Sequence, residues 1–191
     1  MALASAYSKL FTEFDYSAQG IKNNAKDLIL GGNDVFCCFP RMVGKTELVN
    51  EVLEALCVEK RIAVCISNLS LQTCYVQSKN IVFFSPKSLD RLRGSDIDCM
   101  ILDEFAYIKD DRLVEILAYK EIFNCQLVAV TSPSFYYSEQ VPMTKKLWDA
   151  YPAVKFQMSG SLSNYKDREV CKVMMTEEDY QTEVEGNWVV L

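Results

Sequence analysis

Asp34-Val-Phe-Cys-Cys-Phe39-Pro40-Arg41-Met42-Val43-Gly44-Lys45-Thr46 decides how this chain is read. Asp34 to Phe39 is an apolar run of strand length. From Thr46 to Lys60, Leu48, Val49, Val52, Leu53, Leu56 and Cys57 recur at spacings of three and four, which predicts a helix with one apolar stripe. A loop that enters a helix from a buried strand carries outward, unpaired N–H groups, and the helix dipole adds positive potential there. A polyphosphate satisfies both. Gly44 lets the backbone come close, Lys45 supplies a mobile charge for the β- and γ-phosphates, and the Thr46 hydroxyl can ligate Mg²⁺. Pro40 to Thr46 are therefore candidate nucleotide-binding residues. Phe39 stands where the general pattern G-x-x-x-x-G-K-[ST] has its first glycine, and a G-K-T triplet arises by chance in about one chain in ten of this length. The loop needs support from elsewhere in the sequence.

Working outward, short apolar runs alternate with helical patterns. Strands are predicted at Arg61–Ser67, Asn80–Ser85, Ile97–Leu102 and Cys125–Val130. A helix is predicted at Asp110–Asn124, with Leu113, Ile116, Leu117 and Tyr119 inward. Near-continuous apolar strands separated by helices predict an α/β fold, with a mostly parallel central sheet and helices on both faces. In such a sheet ligands collect at the carboxyl edge. Met100-Ile-Leu-Asp-Glu104 ends a central strand there with two adjacent carboxylates. Asp103 is placed to hold the water shell of Mg²⁺. Glu104 is placed to orient or deprotonate an attacking water, which nucleotide hydrolysis needs and kinase transfer does not. Thr131-Ser132-Pro133 follows the next strand, where hydroxyls would face a γ-phosphate; a Ser-Pro turn alone would also end that strand.

Composition bounds the rest. The chain has 191 residues, enough to bury roughly 70% of the surface exposed when unfolded. Half of them are apolar, and no apolar run reaches the ~18 residues of a membrane span. The start MALASAYSKLFTEF lacks the basic and apolar blocks of a signal peptide, so an intracellular protein without a membrane partner is expected. The formal charge is −6, so nucleic acid must meet a local basic patch; Lys145, Lys146, Lys155, Lys166, Arg168 and Lys172 make the last third locally basic. With no histidine, imidazole is removed from every mechanism. Eight cysteines without a C-x-x-C pair read as reduced thiols in a reducing compartment, several of them packed as small hydrophobes. Residues 1–191 show no linker or repeat and read as a single domain.

These motifs together resemble the ATPase domain of the large terminase subunits, the DNA-packaging motors of tailed phages and related viruses. The likeness rests on Pro40-Arg41-Met-Val-Gly-Lys-Thr46, on Arg93-Gly94, on Asp103-Glu-Phe-Ala-Tyr-Ile108, on Thr131-Ser-Pro133 and on Tyr180-Gln-Thr-Glu-Val-Glu-Gly-Asn-Trp188. It spans about residues 15 to 188. It implies a P-loop NTPase of the additional-strand, catalytic-glutamate type, with ATP and Mg²⁺ as substrate and cofactor. Lys45 and Thr46 would bind phosphate and metal, Asp103 the metal, and Glu104 would be the catalytic carboxylate. Arg41 would lie beside the γ-phosphate, Arg93 would reach a neighbouring subunit's site, Gln19 would contact adenine, and Thr131 would belong to the coupling motif. Implied partners are double-stranded DNA, further copies in a ring, a portal, a small terminase and a separate nuclease. The nuclease half of the family is absent from these residues. Two other readings stay open: an ATP-binding ring or regulatory module with little turnover, and a small P-loop kinase. The pair Asp103-Glu104 and Phe39 weigh against the kinase. A GTPase base-reading motif is missing, since Asn164-Tyr-Lys-Asp167 has its letters in the wrong order.

Overall fold

Strand β1, Val35–Cys38, is buried along its whole length because side chains from both its faces enter apolar layers. Val35 and Cys37 pack on one side, Phe36 and Cys38 on the other. A computed structural model describes residues 17–162 and 168–190. Lys166 and the stretch Asn164–Asp167 lie outside the described residues, as does the N-terminal segment through Tyr16.

Helix α1 (Ala18–Leu30) precedes β1. Then come α2 (Lys45–Leu56), β2 (Ile62–Cys65), β3 (Ile81–Phe84), β4 (Cys99–Asp103), α3 (Asp110–Phe123) and β5 (Gln126–Thr131). The last third adds β6 (Phe135–Tyr136), α4 (Met143–Ala150), β7 (Val154–Gln157), α5 (Arg168–Met174) and β8 (Val189–Val190). Six strands form one sheet in the order β3-β2-β4-β5-β1-β7, all parallel. A separate short parallel pair joins β6 to β8.

Both faces of the sheet are covered, as the alternation of strands and helices predicts. On one face α1 and α2 supply Ile21, Ala25, Ile29, Leu48, Val52 and Leu53 to a core with Val64, Ile101 and Val128. Leu53 is fully buried there, and cutting it to alanine would cost about 2–5 kcal/mol. On the other face Leu113 and Ile116 of α3 and Trp148 of α4 cover Phe36, Ala63, Met100, Leu102 and Leu127. Leu117 and Tyr119 pack against this second core only partly buried, so the inner face of α3 is narrower than its sequence pattern suggests.

The structure corrects several sequence expectations. Helix α2 ends at Leu56, four residues before Lys60, in a turn whose N–H groups bond back to Leu56. Strand β4 starts at Cys99 and takes in Asp103 as its last residue. Strand β5 takes in Thr131, so that hydroxyl lies inside the strand and not after it. The irregular last third contributes β7, which hydrogen-bonds β1 in register Val35–Val154 through Cys38–Gln157. The thiols Cys37, Cys38, Cys65, Cys99 and Cys125 are buried, and all eight cysteines are free.

Candidate nucleotide site

The sheet order places β5 between β1 and β4, so three neighbouring strands end at one edge. Asp103 pairs in register with Val130, and Cys38 with Thr131. One bond continues beyond the strand ends, from the Phe39 N–H to the Thr131 carbonyl at 2.9 Å. The loop after β1 therefore starts level with the two carboxylates after β4.

Pro40 is buried, and Val43 packs into the α1–α2 core. Met42 is exposed with φ 60, a left-handed conformation uncommon for a non-glycine residue. Gly44 follows with φ 84 and is the N-cap of α2; its side-chain-free backbone fills a gap between the Glu47 carboxylate and the Lys22 ammonium, which are ion-paired at 2.9 Å. Lys45 opens the helix and Thr46 is exposed on its first turn.

Lys45 is the most telling residue. Its side chain is buried and its ammonium donates to Ser132 Oγ at 2.7 Å, to the Pro40 carbonyl at 3.2 Å and to the Phe39 carbonyl at 3.5 Å. Among the described residues no carboxylate stands within ion-pair distance of it. Burial lowers the Lys45 pKa, against the opposing pull of Glu104, Asp103 and Glu183. A desolvated ammonium bonded only to neutral oxygens is short of an anion.

Asp103 is also buried. Its Oδ1 accepts the Glu104 N–H at 3.0 Å and its Oδ2 accepts the Tyr75 hydroxyl. Burial pushes the Asp103 carboxyl up, with the Tyr75 and Glu104 donors and Lys45 pulling it back. Glu104 adopts φ 55 at the start of the turn Phe105–Tyr107. Non-glycine residues in that region store strain, and such residues gather at functional sites. Burial raises the Glu104 carboxyl as well, Lys45 opposes this, and Asp103 adds to it. A cleft of about 920 Å³ opens onto Asp103 and Glu104 from the tips of β2 and β3, lined also by Ser67, Ser85, Lys87 and Arg112.

Among the described residues no cluster of three or more acidic or cysteine side chains could hold a metal alone. The donor set fits Mg²⁺ in its usual mode, bound by one or two protein oxygens with the remaining positions filled by phosphates and water. Thr46, exposed on the first turn of α2, and Asp103, at the end of β4, are the oxygen donors that the terminase resemblance implies for it.

The other sequence candidates make different contacts. Thr131 turns its hydroxyl to the Ser132 carbonyl at 2.7 Å and accepts the Ala106 N–H at 3.2 Å, so Ser132, not Thr131, meets the lysine. Gln19 sits on the first turn of α1, its amide donating to Asn23 Oδ1 at 3.0 Å. Arg41 forms an ion pair with Glu183, whose carbonyl also accepts the Arg41 N–H at 2.8 Å. Tyr107 donates to the same carboxylate at 3.3 Å. Arg93 is exposed and paired with Asp90 at 3.0 Å, in the turn that leads toward the amino ends of the strands. Of the basic residues in the last third, Lys145 is paired with Asp149 and Arg168 with Glu185, while Lys146, Lys155 and Lys172 are exposed.

Sequence reading missed Tyr75 and Glu183 as parts of this site. Glu183 lies in a π-helical turn, Tyr180–Val184, whose following Gly186 (φ 75) packs on Pro40. The signal for it was the quoted segment Tyr180–Trp188. Tyr75 had none, because it reaches Asp103 from an irregular stretch between β2 and β3.

Neither a protein-family model nor a curated protein matches the chain. Solved structures do. The ATPase domain of the large terminase of Thermus phage P74-26, in a point-mutant form, superposes with a TM-score of 0.65 at 12% identity, over 86% of this chain and 93% of that domain. This is the fold of the large terminase ATPase domain. The large terminase of a thermophilic bacteriophage matches with a TM-score of 0.60 at 14% identity, over 84% of this chain and 50% of that one. The same phage protein in complex with ATP-γ-S gives 0.61 at 13%, over 83% and 48%. This chain thus spans about half the length of the whole large terminases that it matches. Strand β5 stands between the loop strand β1 and the carboxylate strand β4.

Proposed function

We propose that this chain is an ATPase of the large terminase kind, in which hydrolysis of ATP drives translocation of double-stranded DNA. One observation carries the reading. Lys45, Asp103 and Glu104 converge at the carboxyl edge of β1, β5 and β4, where a buried ammonium and two desolvated carboxyls face one another. That arrangement is costly for a chain with nothing to bind, and suits a triphosphate with its metal. The terminase fold and the relative bound to ATP-γ-S support it.

The loop Pro40–Thr46 would offer its N–H groups and the positive end of α2 to the phosphates. Lys45 would leave Ser132 for a phosphate oxygen, which releases that hydroxyl to report the state of the tail. Mg²⁺, when bound, supplies charge neutralisation at the phosphate oxygens, with Thr46 and Asp103 as its protein contacts. Glu104 would orient the attacking water; burial raises its proton affinity toward the range useful to a base. Arg41, within the loop, is paired with Glu183, and from there it would offset transition-state charge. Arg93 would act on a neighbouring copy, Gln19 on adenine, and Thr131 would brace the turn carrying Ser132. A ring of copies on a portal, a small terminase and a separate nuclease are the partners this reading implies, within a cell whose reducing interior suits eight free thiols. No described helix is long and apolar enough to cross a membrane.

A second reading has its own support. Both arginines are engaged by carboxylates in the single chain, Arg41 by Glu183 and Arg93 by Asp90, which suits a nucleotide-binding module that turns over little alone. Hydrolysis measured against protein concentration and added DNA separates the two. Turnover that rises with either, and vanishes in Glu104→Gln while nucleotide still binds, supports the motor; Lys45→Ala should lose binding itself. Nucleotide binding without turnover at every concentration supports the module.

A further inference from the structure

Tyr75 has no place in the motifs, yet it makes the most direct side-chain contact to a candidate metal residue. Its hydroxyl donates to Asp103 Oδ2, while Asp103 Oδ1 is taken by the Glu104 N–H. Each oxygen of this carboxylate therefore has one donor fixed in place, which sets the plane of the group and leaves one lone-pair site on each oxygen for a further ligand. A carboxylate held by one donor alone could swing about its Cβ–Cγ bond.

The tyrosine is itself held. Its ring is buried against Phe83 of β3, with ring centroids 5.8 Å apart. The backbone on either side is tied to Asn50 of α2: the Asn50 amide donates to the Cys74 carbonyl at 3.0 Å, and its Oδ1 accepts the Val76 N–H at 2.9 Å. Asn50 lies one turn along the helix from Thr46. The helix that presents Thr46 thus also anchors the residue that aims Asp103. The two protein oxygens available to a metal are connected through one side chain and one aromatic ring.

We infer that Tyr75 is a positioning residue for Mg²⁺: through its hydroxyl it holds the Asp103 carboxylate in the orientation that receives the hydrated ion. The inference rests on the nucleotide-site reading above. Removing an outer donor of this kind from a metal site lowers metal affinity by about 10- to 100-fold.

Tyr75→Phe removes the hydroxyl and keeps the ring on Phe83. A fluorescent ADP analogue is titrated into wild type and variant, first in EDTA and then across a range of Mg²⁺ concentrations. The half-saturating Mg²⁺ concentration should rise by about 10- to 100-fold in the variant, with analogue affinity in EDTA unchanged. If Tyr75→Phe does not fold, Asn50→Ala loosens the same turn without touching ring or carboxylate, and should shift the Mg²⁺ requirement in the same direction by a smaller factor. An unchanged Mg²⁺ requirement in the variant that folds, with wild type dependent on Mg²⁺, overturns the role of Tyr75 alone. Wild type that binds the analogue no better with Mg²⁺ than in EDTA overturns the metal assignment of Thr46 and Asp103, and this inference with it.

Discussion

Replacing Gly44 by alanine probes the backbone on which the phosphate cradle depends. Gly44 lies at φ +84, and an L-residue held in the left-handed region costs roughly 1–2 kcal/mol. The added Cβ would stand 2.6 Å from Glu47 Oε2 and 3.0 Å from Lys22 Nζ. Glu47 is the flexible partner, with a side chain 64% exposed, so the clash is relieved by giving up its ion pair with Lys22, worth up to about 1 kcal/mol. The sum is about 1–3 kcal/mol. For a domain of this size that lowers Tm by about 2–12 °C. Gly32→Ala is the matched control: Gly32 has φ +85 with nothing within 4 Å of the added carbon, so only the backbone contribution of about 1–2 kcal/mol remains. Calorimetric unfolding of both variants should place Gly44→Ala below Gly32→Ala, and both below wild type. If Gly44→Ala melts with wild type, the loop does not hold its left-handed turn, and the cradle geometry is wrong.

Glu104→Gln should raise Tm at pH 8, because a carboxyl whose pKa burial has raised destabilises the fold once it is ionised. The wild-type fold keeps its full stability while the carboxyl is protonated, below the ordinary glutamate value of about 4.3, and loses part of it as pH rises through the raised one, so the variant's advantage should shrink toward pH 5. A gain that grows on acidification would contradict the shift. Arg93→Ala should leave Tm close to that of wild type, since Arg93 is exposed and its contacts, to Tyr119 and Asp90, lie at the surface. If it acts on a neighbouring copy, turnover should fall only at protein concentrations where copies assemble. Mixing it with Glu104→Gln would then restore part of the activity, and no restoration would place Arg93 outside catalysis.

The inner strands were legible because a parallel sheet covered on both faces makes them nearly continuous apolar runs, as Val35–Cys38 and Gln126–Thr131 show. Strand β7 was not, because at the sheet's edge only Phe156 of its four residues is buried, and Lys155 and Gln157 read as loop. Helix α1 hid behind Gly20 and the pair Asn23-Asn24, although Ile21, Ala25 and Ile29 follow a four-residue spacing onto the core. At the site, the loop and Asp103-Glu104 stood out because each motif is local in sequence. The hydroxyl facing Lys45 was displaced by one position, since β5 runs one residue further than its apolar stretch and alternation turns Thr131 away. Tyr75 and Glu183 act across the fold, and no spacing along the chain encodes such contacts.

A crystal structure with a non-hydrolysable ATP analogue and Mg²⁺ tests the account most directly. It should show the phosphates seated on residues 40–46, the Lys45 ammonium moved from Ser132 Oγ to a phosphate oxygen, and the ion between Thr46 and Asp103 with Glu104 facing the terminal phosphate. A saturated crystal in which Lys45 still bonds Ser132 and the nucleotide lies elsewhere would contradict it.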